Sequence, residues 1–144
     1  MAITRAQSQV LWSTASSITL STNTQTSSDA VALDDTCVGF FLTCAIDNAS
    51  GTPVSGDTAT FKIRWSTGDI LGDSGNDFDT AEHAEYVVTL DTVPANTPGE
   101  DPGRRTIFYG PTPKNFILDV TWNSAAPSTR NGVARARIEE LRAA

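Results

Sequence analysis

The segment Cys37-Val38-Gly39-Phe40-Phe41-Leu42-Thr43-Cys44-Ala45-Ile46 constrains the fold more than any other part of the chain. Read at a period of two, Val38, Phe40, Leu42, Cys44 and Ile46 form one wholly apolar face. The other face, with Cys37, Gly39, Phe41, Thr43 and Ala45, is small or apolar as well. A solvated strand alternates with polar residues, whereas a strand covered on both sides reads like this one. The expectation is therefore a doubly covered strand at the centre of a β-sandwich.

The rest of the chain supplies the cover. Thr58 to Ser66 alternates, with Ala59, Phe61, Ile63 and Trp65 on one face and Thr58, Thr60, Lys62, Arg64 and Ser66 on the other. That is the pattern of a half-buried antiparallel strand. Tyr86, Val88 and Leu90 repeat it, as do Phe116, Leu118, Val120 and Trp122 opposite Asn115, Ile117, Asp119, Thr121 and Asn123. Ala30 to Leu33 suits a short strand. Arg104 to Tyr109 and Asn115 to Asn123 flank Gly110-Pro111-Thr112-Pro113-Lys114, which reads as a hairpin. Val133 to Leu141 fits a strand by alternation of Ala134, Ala136 and Ile138 with Arg135, Arg137 and Glu139, although its Ala, Arg, Glu and Leu favour helix. The alternation decides for strand. Residues 67–83 and 92–103 read as long loops, and Asp47 to Asp57 as a surface turn. The outcome is an all-β chain, an antiparallel β-sandwich of about seven or eight strands, jelly-roll-like, with an extended N-terminal arm. Residues 1–28 form that Ser/Thr-rich arm, and residues 29–144 form a single β-sandwich domain. Within the arm, a strand around Ser17 to Ser21, a contact with a neighbouring molecule and a flexible tail all fit.

Charge limits the partners. The net charge is −7, and nearly all the acids fall in residues 29–103, where Lys62 and Arg64 are the only bases. Residues 104–144 are basic, with Arg104, Arg105, Arg130, Arg135 and Arg137 among their cations. A pI near 4.4 argues against nucleic acid as a partner. No run approaches the ~20 apolar residues of a membrane span, and the opening Met-Ala-Ile-Thr-Arg-Ala-Gln has no signal-peptide core. Cys37 and Cys44 in one strand would lie roughly 23 Å apart, too far for a disulfide.

Candidate chemistry is thin. Gly72-Asp73-Ser74-Gly75 matches the local signature around a serine-protease nucleophile, but His83 is the only histidine and follows the serine. The triad needs a histidine base and an orienting acid, so the motif reads as a glycine-rich acidic loop. Asp73, Asn76, Asp77 and Asp79 offer hard oxygen ligands without EF-hand spacing, because Phe78 stands where glycine is required. Asn48-Ala49-Ser50 fits a glycosylation sequon by chance. Glu139-Glu140 and Asp34-Asp35 are adjacent and so point apart on strands. No catalytic residue, metal ligand or cofactor is assigned, and no enzymatic activity is expected.

Trp65 and Trp122 fall on the apolar faces of their strands and read as core. Trp12, with Val10 and Leu11, sits outside the alternating body and reads as an anchor into a partner. A short all-β chain with a Ser/Thr-rich arm, long loops and no catalytic set resembles the small virion proteins of tailed bacteriophages, in particular the capsid decoration (cement) proteins. The resemblance covers the whole chain in format and rests on no motif. It implies a virion protein made in the host cytoplasm, assembled as a dimer or trimer, that binds the major capsid protein or another virion protein. Val10, Leu11, Trp12, Phe41, Arg104, Arg105, Arg135 and Arg137 are the interface candidates, with the arginines equally suited to the chain's own acidic loops. A carbohydrate-binding or adhesin-type sandwich is the alternative.

Overall fold

The computed structural model describes residues 2–21, 23–50, 57–80, 84–89, 103–124 and 131–143, with the side chains of 48–50 and 84–89 outside the description. Its strands are β1 (Ile3–Gln9), β2 (Ile18–Leu20), β3 (Thr26–Ser27), β4 (Val31–Ala32), β5 (Cys37–Ser50), β6 (Thr58–Ser66), β7 (Ala84–Thr89), β8 (Gly103–Tyr109), β9 (Asn115–Asn123) and β10 (Asn131–Ala143). There is no helix among the described residues.

The strands form two antiparallel sheets, β1-β10-β5-β8 with β2 also on β10, and β3-β9-β6-β7 with β4 also on β9. Both β1/β2 and β3/β4 are interrupted edge strands. Counted as one strand each, they give the orders 1-8-3-6 and 2-7-4-5, the two sheets of a jelly roll. The chain crosses from one sheet to the other at nearly every connection. This overturns the hairpin expected over residues 104–123, because β8 pairs with β5 and β9 with β6. Gly110 to Lys114 therefore carries the chain between sheets.

The inward faces follow the alternation. Phe40, Leu42, Cys44 and Ile46 of β5 and Ala134, Ala136 and Ile138 of β10 meet Ala59, Phe61 and Ile63 of β6 and Phe116, Leu118, Val120 and Trp122 of β9. Phe40 lies at the centre of an aromatic cluster, stacked on Tyr109 at 5.1 Å and Phe116 at 5.6 Å, with Trp65 edge-on at 6.4 Å. The small residues of β10 make room for Trp122. At Gly132 a Cβ would lie 2.9 Å from both Ile46 Cδ1 and Trp122 Cζ3, so only glycine fits without repacking. Cys44 is fully enclosed, and burial pushes its thiol up to about 12. Both cysteines are free, as their separation requires.

Residues 1–28 are not set apart from the sandwich. β1 pairs with β10 from Ile3↔Ala143 to Gln9↔Arg137, and β2, inside the expected Ser17 to Ser21, pairs with Gly132 to Ala134. Between them a two-residue turn reverses the chain. Trp12 N donates to Ala15 O at 2.8 Å and Ala15 N to Trp12 O at 2.9 Å. Both turn residues, Ser13 and Thr14, have positive φ (48° and 69°), a conformation disfavoured for β-branched threonine. The Asp29 carboxylate offsets that strain by accepting both amides, from Ser13 N at 3.0 Å and Thr14 N at 2.9 Å. The turn aims Trp12 inward. Val10 and Trp12 are 1% and 3% exposed, so they anchor the chain's own core and not a partner; Leu11 faces out.

The outer face of the second sheet holds a buried charge. Asp119 points away from the core, yet it is 1% exposed. Arg64 Nε and Nη2 donate to it at 2.7 and 3.2 Å, and Ser27 Oγ donates at 2.6 Å.

Candidate functional site

The opening segment is covered on one face only. The outer side of β5 carries Gly39, Phe41, Thr43 and Ala45, flanked by side chains of β10 and β8 rather than roofed by the N-terminal segment. Register places Phe41 beside Glu139 on one side and Phe108 on the other. The two phenylalanine rings meet at 4.9 Å, tilted by 46°. Phe108 is 53% exposed, and its ring edge occupies the space a Cβ on Gly39 would need, 3.1 Å away. Gly39 thus leaves room for that ring and for the Tyr109 carbonyl oxygen, which would lie 2.9 Å from the same Cβ.

Arginines border this pair in register. Arg137 lies beside Thr43, Arg135 beside Ala45 with Arg104 on its far side, and Arg5 beside Leu141. Glu139, the acid among them, is met by Arg5 at 3.7 Å and accepts from Gln7 Nε2 at 2.7 Å. Among the described residues no acid pairs with Arg104, Arg135 or Arg137. Two shallow grooves run along the same face, one of about 340 Å³ beside Arg5, Phe41 and Arg137, the other of about 180 Å³ beside Gln9, Arg135 and Arg137. Phe41 and the basic-segment residues Arg104, Arg135 and Arg137, singled out on different grounds in the sequence, are therefore one surface. Arg105 has the opposite parity, opposite Cys44, and belongs to the edge. Phe108 was missed. Its only sequence signal is that alternation places it with Arg104 and Thr106 on the outer side of β8.

Glu140 shows the opposite disposition to Glu139. It turns inward, 3% exposed, accepting from Asp34 N at 2.7 Å and pairing with Arg142. The adjacent acids point apart, as expected for a strand.

The acidic loop after β6 is ordered by its own carboxylates. Asp69 accepts from Gly72 N at 2.6 Å, Ser74 N at 2.8 Å and Asp73 N at 3.2 Å. Asp77 accepts from Ile70 N at 2.6 Å and Leu71 N at 2.9 Å. Ser74, the residue of the protease-like motif, takes a φ of +74° in this turn; His83 lies outside the described residues. Carboxylate oxygens of Asp69, Asp73 and Asp77 come within 4.8 Å of one another, but their geometry is accounted for by the amides they accept. The loop holds Ile70 and Leu71 outward, each 76% exposed. Amide donation, led by Ser74, keeps the Asp69 carboxyl below its ordinary value of 3.8. A depressed value means that these bonds are intact above pH 3.8 and are lost as pH falls through the lower folded value. In a carboxyl carbon NMR titration Asp69 should have its midpoint below 3.8, with the Gly72 and Ser74 amides moving in the same window; a midpoint at or above 3.8 would contradict the network.

No protein-family model matches the chain, and no curated protein matches it. Among solved structures it aligns with a family 16 carbohydrate-binding module (14% identity, TM-score 0.38, 88% of this chain and 79% of that one). It also aligns with the Desmodium yellow mottle tymovirus chain (7%, TM-score 0.39, 98% and 87%). A third is CorA, a surface-associated copper-binding protein of Methylomicrobium album BG8 (14%, TM-score 0.34, 98% and 94%). Likenesses this distant carry no argument about function.

Proposed function

We propose that this chain is a non-enzymatic structural protein of a phage virion, acting as a capsid decoration protein, and that the outer face of β1-β10-β5-β8 is its assembly surface. The carrying observation is the Phe41–Phe108 pair, apolar and partly open, bordered by Arg104, Arg135 and Arg137, which pair with no acid among the described residues. An aromatic centre with arginine at its border is the composition of a protein-docking surface. Choosing a capsid as the setting is an analogy from chain format and jelly-roll architecture, since a fold hosts many functions.

The alternative, a carbohydrate-binding or adhesin-type module, would use the same face, with the Phe rings stacking on sugar. Indole platforms are not available for it: Trp12 and Trp122 are buried and Trp65 packs against the core.

The test is rebinding. An antiserum to the purified protein should label the outside of heads of the encoding phage, and stripped heads should rebind wild type. The Phe108→Asp, Arg137→Glu variant should rebind about 100-fold more weakly, the effect of losing two hot-spot side chains. Equal rebinding by the variant would sink the assembly-face reading. Unlabelled heads together with a glycan-array hit would favour the alternative.

A further inference from the structure

The loop of residues 67–80 carries a second exposed apolar feature, and its chemistry is the complement of the arginine-bordered face. Ile70 and Leu71 are held out by the amide bonds of Asp69 and Asp77, so little order remains to be gained when they dock. Around this knob stand Asp69, Asp73, Asp77 and Asp79, and no base lies in the loop. The Phe41–Phe108 patch has the inverse arrangement, apolar in the middle and mainly cationic at the border, where the one acid, Glu139, is engaged by Arg5 and Gln7. In a chain of net charge −7, four of the ten lysines and arginines, Arg5, Arg104, Arg135 and Arg137, share this one sheet face, which gives an acidic copy somewhere to bind.

We propose that the occupant of the Phe41–Phe108 face is the Ile70–Leu71 knob of a second copy of this chain, with the loop aspartates meeting Arg104, Arg135 and Arg137. The inference rests on reading that face as an assembly surface and adds its partner. Knob and patch belong to different sheets, since the loop follows β6 while the patch lies on β5 and β8. The contact is therefore between unlike surfaces: exchanged reciprocally about a two-fold axis it gives a dimer, and made once per copy it repeats head to tail into a closed ring or an open chain. An acidic membrane-inserting loop is disfavoured by the same aspartates, which would be repelled by anionic lipid.

Complementation between variants tests it. Ile70→Asp with Leu71→Asp removes the knob, and Phe108→Asp removes the patch; both change exposed residues, and circular dichroism and melting verify the fold. In sedimentation velocity, wild type should associate with rising concentration, and less so at ~1 M salt, where the screening length falls to about 3 Å. Each variant alone should associate at least about tenfold more weakly, the loss of one hot-spot contact. Mixed, the two should form a one-to-one pair and nothing larger, because the mixture retains one intact knob and one intact patch. A monomeric wild type, or variants that still assemble alone, or a mixture that stays monomeric, would each overturn the proposal. Should wild type be monomeric yet bind heads through Phe108 and Arg137, the assembly-face reading survives and only the second copy is excluded. Knob-to-patch assembly with no binding to heads would do the reverse.

Discussion

Phe40→Ala should lower the unfolding free energy by about 3–5 kcal/mol, the usual cost of emptying an aromatic site in a packed core. Phe40 is fully buried and its ring touches three others, Trp65, Tyr109 and Phe116, drawn from β6, β8 and β9. Those strands belong to both sheets, so the cavity would open where the two halves of the sandwich are held together. The neighbours can close it only in part, since the backbone of each is held by its own strand. A drop in melting temperature of roughly 10–15 °C is expected for a domain of this size, with loss of the near-ultraviolet signal of the cluster. Phe41→Ala, one residue along but on the outer face, should cost far less and is the internal control. Comparable losses at both positions would mean that the outer face is as tightly packed as the core, contrary to the structure.

The second large effect concerns the Arg64–Asp119 pair. Arg64→Leu should cost about 3 kcal/mol, the lower end for stripping the partner from a buried charge. The lower end applies because Arg64 is partly open to water and because Lys62 stands directly across from Asp119 in the ladder. Asp119 would keep only the Ser27 hydroxyl among the donors described at its oxygens. Removing both charges, in Arg64→Leu with Asp119→Leu, should restore most of the loss. Chemical denaturation of the two singles and the double gives the coupling. Additive losses would show that the pair does not act as a unit.

What was legible in the sequence was whatever alternates. β6 and β9 begin and end where the pattern of Ala59, Phe61, Ile63 and of Phe116, Leu118, Val120, Trp122 does, because inward residues of an antiparallel sandwich must alternate. β10 was legible for the same reason, despite helix-forming composition: Ala134, Ala136 and Ile138 lie at period two, and tertiary burial overrides propensity. The place of Trp12 was not legible, since β1 is mostly polar on both faces and the turn that redirects the chain is Ser13-Thr14 where Asn-Gly would have announced it. The hairpin over 104–123 failed because a five-residue turn-forming stretch serves a hairpin and a sheet crossing equally well. Of the candidate surface, the arginines were visible as one basic segment and Phe41 as a separate residue. Their grouping depended on register across β10, β5 and β8, which local sequence does not carry.

The sheet order also bears on how the protein is made. β10, the last described strand in the chain, is the one that lies between β1 and β5. Until it leaves the ribosome, β1 has no ladder partner and one flank of β5 is open along most of its length. β1 must therefore wait, unpaired, until β10 has been made. Its mostly polar sequence, with Ile3 and Ala6 the only apolar residues, hid β1 from pattern reading and suits a strand that spends translation in water. Completion of the sandwich thus joins residues as far apart as Ile3 and Ala143, the kind of closure that makes all-β folding slow.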